Sequence, residues 1–442
     1  MLKQLLNLFR DQEMKKRIWI TLGLLVVYRL GSALPLPGAR PEAVKEFFSP
    51  LLGVVDIVSG GALGRLSVFA LGIMPYITAT IILQLLQGVI PHLEQLSKEG
   101  AKGYEKIRFY HRLGTIAICL FQGTVYYKWL LGGGAMPSGI GFYFLTMMTL
   151  TTGAMFLMWL GDQITEYGVG NGVSLIIMAG IVSRLPQAVH FVGSNMTWRL
   201  TESGGLNPLT VGALLVVFVV VVVGVVFITQ GQRRIPMQQA KITRGTRVLG
   251  GQRTYLPLRV NHASVMPIIF GSSLLIFPAY FFRTISGITQ GASFWETMVK
   301  WFQAGGFLYV LCYVPLIFFF CYFWTSLTFK PKELSDDLKQ YGSFIPGIRP
   351  GRKTADYLEG VMVRITFAGA AFLTAIALLP QLVGRAFNIG GRYEVIQYFG
   401  GTSILIVVGV GLDLMERLES QMIQKHYGGF LGAKGGRIRG RR

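Results

Sequence analysis

Acid is scarce in this chain: of 442 residues only 21 are Asp or Glu, against 42 Lys and Arg, with three cysteines and five histidines. Each shortage excludes a class of function. Cys119, Cys312 and Cys321 are scattered through apolar stretches without metal-ligand spacing, so neither a disulfide framework nor a zinc site is expected. His92, His111, His190, His262 and His426 lie in loops or at the ends of apolar runs. With no Gly-x-Ser-x-Gly elbow and no HExxH helix, an intramembrane hydrolase lacks its nucleophile and base. The chain also lacks a phosphate-binding loop, so it reads as neither an enzyme nor a cofactor carrier, and any nucleotide energy has to come from a partner.

What the chain has instead is apolar length. Ten runs, at approximately 18–36, 67–90, 113–132, 142–161, 172–191, 210–230, 263–283, 306–328, 360–380 and 399–416, each approach the ~20 helical residues that cross a hydrocarbon core. They lack the period-2 alternation of a barrel strand, and a lipid-exposed backbone must satisfy its own hydrogen bonds, so they are expected to be helices. The stretch from Leu209 to Ile228 carries no charge at all. Lys15, Lys16 and Arg17 lead into the first run without a small-residue cleavage site, so that run is expected to stay in the membrane.

The basic residues set the orientation. Of the 42, about 30 fall in the N-terminal tail, alternate connections and the C-terminal tail, which predicts both termini on the cytoplasmic side. The net charge of +21 therefore belongs largely to one surface, facing anionic lipids or polyanionic partners.

Two groups of five spans, an odd number each, permit an inverted repeat of the kind found in transporters. A small-solute transporter is the alternative reading. It needs ionisable residues near the midplane, whereas Asp162, Glu166 and Asp413 sit at the inner ends of their spans. The expected division is an N-terminal half over 1–192, a C-terminal half over 193–416 and a basic tail over 417–442. Cytoplasmic loops are expected at about 230–262 and 329–359.

Between the first two spans lies an apolar stretch, 47–65, bounded by Pro50 and broken by Gly60 and Gly61, too short to span. Composition leaves two readings open: a loop on the outer headgroups, or backbone entering membrane depth inside protein or a water-filled cavity. The next segment, 69–86, carries Pro75, which is expected to break the hydrogen-bond ladder within a helix.

Here FALGIMPYITATIILQLL (69–86), GVGNGVS (168–174), LPLRVN (256–261), FIPGIRPG (344–351) and GGTSILIVV (400–408) together resemble the SecY family of protein-conducting channels. The five motifs stand in the family's order. The resemblance implies an all-α polytopic membrane protein of ten helices, in two inverted five-helix halves around an hourglass pore. It implies a bacterial plasma membrane, signal sequences and nascent chains as passengers, and small SecE and SecG subunits beside the channel.

Site residues follow from the same resemblance. A short plug over about 51–65, including Val54, Val55, Asp56, Ile57, Val58, Gly60 and Gly61, would close the outer funnel. The pore ring would be Ile73, Ile77, Ile177, Ile181, Ile269 and Ile406, an apolar constriction that blocks ions by dewetting. Thr78, Gln122 and Asn261 would form a polar cluster at a lateral gate. Arg244, Arg247 and Arg253 on loop 230–262, and Arg349 between Pro346-Gly347 and Pro350-Gly351, would dock the SecA motor ATPase or the ribosome. Extended flanks with Gly250-Gly251 as a turn signal predict that the first of these loops is a projecting ribbon. Lys330, where many relatives have Asn, and Gln239, where an aromatic is common, depart from the family pattern.

Overall fold

The computed structural model describes residues 12–40, 56, 59–194, 207–239, 242–244, 247–249, 253–262, 265–288, 293–302, 306–386 and 401–432. The chain divides into two compact units, Met1–Phe48, Val55–Leu185 and Val410–Arg442 forming one, and Ser49–Val54 with Pro186–Gly409 the other.

In the first unit α1 (Gln12–Gly31), α2 (Met74–Val89), α3 (Pro91–Lys98), α4 (Ala101–Gly132) and α5 (Ile140–Tyr167) follow in order, and α6 (Gly172–Ser194) begins there. The expectation for Pro75 is corrected. Helix α2 starts at Met74, so Pro75 occupies its first turn, where no ladder bond is lost and its fixed φ favours helix initiation. Residues 59–73, predicted in part as span, form turns instead. The rest of the second predicted span is bent: Ile90 is extended, and Pro91 opens α3 at its first turn.

Helices α4 and α5 pack face to face, with Gly123 against the Met147 thioether. Phe69 is sandwiched between Tyr28 and Phe156 in stacked geometry, the ring centroids 6.4 and 5.9 Å away. The motif at 168–174 is a tight junction between α5 and α6. The Asn171 side chain accepts from the N–H groups of Val173 (3.1 Å) and Ser174 (3.4 Å), an N-cap, and Thr165 Oγ1 accepts from Gly172 N–H at 2.9 Å. A side chain at Gly172 would run into the Gly161 carbonyl, so this close approach requires glycine.

The second unit contains α7 (Pro208–Gln230), four strands, then α8 (Met266–Ile288), α9 (Ser293–Phe302), α10 (Phe307–Thr328), α11 (Pro331–Gln340), a short strand and α12 (Arg352–Ala386). Helix α13 (Gly401–Gly432) runs through the boundary between the units. In α7, Leu215, Val216, Val219, Val220, Val223 and Phe227 are exposed while Leu214, Val221 and Val225 are buried. An exposed stripe this apolar is stable in lipid, where β-branched residues face hydrocarbon and the helix closes its own hydrogen bonds. By length and composition, five helices among the described residues qualify as spans, and six if the bent pair α2–α3 counts as one.

The strands are β1 (Gln232–Gln239), β2 (Ile242–Arg244), β3 (Arg247–Leu249), β4 (Arg253–Arg259) and β5 (Ser343–Phe344). β1 and β4 form the expected antiparallel ribbon, from Gln232↔Arg259 to Gln238↔Arg253. Beyond the ribbon β2 pairs with β3 up to Arg244↔Arg247, leaving two residues between them, the spacing of a tight hairpin, and the turn predicted at Gly250-Gly251 falls between β3 and β4. Residues 250–252 lie outside the described ones. On its other edge β1 pairs with β5 through Gln238↔Phe344 and Gln239↔Ser343, giving the order β4-β1-β5.

Candidate functional site: a re-entrant segment and its seat

Among the described residues of the first unit, Asp56 and residues 59–72 carry a group of long-range polar contacts. The segment is buried in protein: Asp56, Ser59, Ala62, Leu63, Leu66 and Ala70 are each at most 3% exposed. That burial removes the loop on the headgroups as a description of these residues. Backbone so far from water has to be satisfied by neighbours. Leu36 N–H donates to the Leu66 carbonyl (2.6 Å) and Val68 N–H to that of Leu34 (3.0 Å), binding the segment to the chain after α1.

Side chains from three helices complete the seat. From α1, Tyr28 OH donates to the Ser59 carbonyl (3.1 Å) and Arg29 Nη1 to that of Gly60 (3.4 Å), while Arg29 also reaches Ser183 Oγ at 3.2 Å. From α4, Tyr126 OH donates to the Leu63 carbonyl at 3.1 Å. From α6, the Arg184 guanidinium pairs with the Asp56 carboxylate, whose other oxygen accepts Gly64 N–H at 2.7 Å. Burial pushes the Asp56 carboxyl above the usual carboxylate range, with Arg184 and the Gly64 N–H pulling the other way.

The close fit depends on two glycines in the left-handed region, Gly60 (φ +68°) and Gly61 (φ +86°). A Cβ on Gly60 would stand 2.8 Å from Gly180 Cα and 2.8 Å from Tyr28 OH, and one on Gly61 would meet the Arg184 guanidinium. Ile177, Gly180, Ile181 and Arg184 are spaced i, i+3, i+4, i+7 and so share one face of α6. Gly72, next to Ile73, lies against Ser59, where a Cβ would be 3.2 Å from the Ser59 side chain. The segment therefore touches the stripe that carries two of the sequence-predicted ring residues and adjoins a third.

Of the predicted ring, Ile73, Ile77, Ile177 and Ile181 lie in the first unit and Ile406 in the second, all buried. Ile77 N–H bonds to the Ile73 carbonyl at 3.1 Å, which stacks that pair one helical turn apart. Ile269 is on α8, and its side chain lies outside the described residues. Among the predicted plug positions, Val54, Val55, Ile57 and Val58 also lie outside them. Thr78 on α2 donates to the Met74 carbonyl of its own helix at 3.0 Å. Gln122 on α4 is half-buried and Asn261, just ahead of α8, is buried.

The docking residues sit on the sheet of the second unit. Ile235 and Leu258 of the ribbon pack with Ile345, next to β5, and with Leu358, Val361, Met362 and Ile365 of α12. Arg349 is exposed on the bend that follows, between Gly347 (φ +84°) and Gly351 (φ +100°). Its carbonyl accepts from Thr354 Oγ1 at 3.0 Å, and the Gly351 carbonyl from Ser335 Oγ at 2.7 Å, so the bend is braced by α12 and α11. Of Arg244, Arg247 and Arg253 the structure describes the backbone alone.

Sequence reasoning missed Arg29 and Arg184. Both lie inside predicted spans, and a cation in a membrane span needs a partner, a signal available from the sequence but overlooked in favour of the missing acids.

A family model described as SecY matches residues 67–415. The protein translocase subunit SecY of Thermotoga maritima is 42% identical over 450 residues, covering 99% of each chain. That of Escherichia coli K12 is 43% identical over 427 residues, covering 94% of this chain and 93% of the relative. A solved structure of a protein conducting channel aligns with a TM-score of 0.64 at 18% identity, covering 96% of this chain and 95% of that one. Sec61 in the canine ribosome-channel complex from the endoplasmic reticulum aligns at 0.61 and 18%, with the same coverage.

Proposed function

The chain belongs to the SecY family, and from that premise we propose that it is the protein-conducting channel of the general secretory pathway, passing unfolded secretory chains across the membrane and releasing hydrophobic segments sideways into the bilayer. Its fold is the mostly helical, polytopic membrane fold of the SecY and Sec61 channels. The observation that carries the reading is identity of 42% spread over essentially the whole of both chains. Among the described residues no feature of either unit favours a solute transporter.

The finer assignments are part of the proposal. Ile73, Ile77, Ile177, Ile181, Ile269 and Ile406 form the constriction, residues 51–65 the plug over it, and Thr78, Gln122 and Asn261 the polar contacts of the lateral gate. Hydrogen bonds between membrane helices average about 0.6 kcal/mol, so two or three hold the gate with roughly 1–3 kcal/mol. A signal sequence with ten Leu-like residues gains about 3–6 kcal/mol on entering lipid, enough to shift that balance where a polar segment cannot.

The chain itself catalyses no reaction, and the driving force comes from SecA or from the ribosome. Arg244, Arg247, Arg253 and Arg349 supply the docking charge, with ribosomal RNA phosphates bound electrostatically and steeply dependent on salt. SecE and SecG accompany the channel. It sits in the bacterial inner membrane with both termini cytoplasmic and its basic face against anionic lipids. The test is replacement of the resident channel in cells depleted of their own SecY. Restored export of a signal-bearing reporter is the expected result, and restored membrane abundance without export would overturn the proposal.

A further inference from the structure

We infer that Asp56 and Arg184 act as an electrostatic latch, a buried ion pair that positions the re-entrant segment on α6 in the resting channel and sets how readily it lets go. The inference rests on the reading of residues 51–65 as the plug. It concerns what holds that segment, which the sequence did not indicate.

Three independent observations converge on the pair. Asp56 is 2% exposed and its partner's side chain 14%, so both charges are largely removed from water. The Asp56 carboxylate organises the segment as well as anchoring it, since it also accepts Gly64 N–H, while the Asp56 carbonyl accepts Gly61 N–H (2.8 Å) and Ser59 Oγ–H (3.1 Å). The backbone is shaped for the pairing: Gly61 leaves room for the guanidinium and Gly60 lets the chain touch Gly180, four residues before Arg184.

An ion pair suits this task for a physical reason. Burying two charges and then pairing them comes close to energetic balance, so the pair contributes little net stability, but removing one partner strands the other in a poor solvent. Moving the segment away returns both ions to water, so the pair itself adds little to the cost of release. The pair thus specifies one seated position without locking it, and a well-packed apolar contact of similar size would hold harder and specify less. Tyr28, Arg29 and Tyr126 donate to carbonyls of the segment and so hold its backbone, while Arg184 recognises one side chain.

The experiment compares purified channel complexes in planar bilayers: wild type, Asp56→Asn, Arg184→Gln, the double variant and a deletion of residues 51–65. Each single variant strands a charge or loses its anchor, so resting conductance should rise about tenfold or more towards that of the deletion. The double variant, with two neutral amides that can bond each other, should conduct less than either single. A second readout places Cys at Ser59 and follows labelling by a membrane-impermeant maleimide in assembled complexes, so that misfolded material is not counted. Labelling should be slow with the pair intact and at least several-fold faster in each single variant. If the deletion leaks while both single variants conduct and label like wild type, the latch is refuted and the plug stands. If the deletion itself leaves resting conductance unchanged, the plug reading fails first. A double variant that leaks more than the sum of its singles would also refute the pairing.

Discussion

Replacing Gly60 with Ala should unseat the re-entrant segment by an amount that can be worked from its surroundings. Gly60 sits at φ +68°, a region that costs an L-residue roughly 1–2 kcal/mol. The added Cβ would lie 2.8 Å from Gly180 Cα, and because backbone atoms cannot rotate away, overpacking adds about 1–3 kcal/mol. Both penalties apply to the seated state and relax once the segment leaves, so the seated population loses about 2–5 kcal/mol. At the low end that is about a 25-fold rise in the unseated fraction. Open events in a planar bilayer at rest should become more frequent by at least that factor. Gly134→Ala is the control: its φ is +65° with nothing within 4 Å of the added Cβ, so it carries the backbone strain and no clash at the seat. Wild-type event frequency in Gly60→Ala, or an equal rise in Gly134→Ala, would refute the reasoning.

The remaining predictions concern docking, gate and ring. Arg349→Glu reverses an exposed charge on a braced bend without stranding a buried partner, so SecA-dependent secretion should fall at least tenfold while membrane abundance stays at wild type; an equal fall in both marks the residue as structural. On the proposed gate, Gln122→Ala or Asn261→Ala would take away one interhelical hydrogen bond of about 0.6 kcal/mol, shifting the gate about threefold towards opening. Signal sequences of graded Leu content should then pass with fewer Leu, and an unchanged threshold in both variants removes the cluster from the mechanism. Changing several of Ile73, Ile77, Ile177, Ile181 and Ile406 to Asn should wet the constriction, most of all with residues 51–65 deleted. Each elementary charge crossing 100 mV releases about 2.3 kcal/mol, so even brief wetting registers as current, and wild-type conductance in the combined variant would sink the ring.

How far the sequence carried the structure depended on the range of the interaction being read. Helices such as α7 were legible because an uncharged run of more than 20 residues has one stable form in lipid, and the ribbon because its flanks are extended over many residues. Pro75 was misjudged because a proline looks alike inside a helix and in its first turn, and what starts α2 is the turn-rich chain packed before it. The pairing of β2 with β3 was not legible because strands of three residues carry too little alternation to register. Asp56 and Arg184 are 128 residues apart, and no periodicity links them. The two-residue strand β5 is shorter than any pattern that sequence reading can detect.

That short strand has a consequence for anyone exchanging parts between relatives. Because β5 is zipped to the free edge of β1 and Ile345 fills the same small core as Ile235 and Leu258, the stretch bearing Arg349 and the stretch bearing the ribbon are halves of one fitted piece. Transplanting either alone would bring a foreign edge to Gln238 and Gln239 and a foreign side chain into that core. Partner preference should therefore travel as a cassette, residues 232–259 together with 343–351, and a graft of both stretches should fold where a graft of either alone disturbs the shared core.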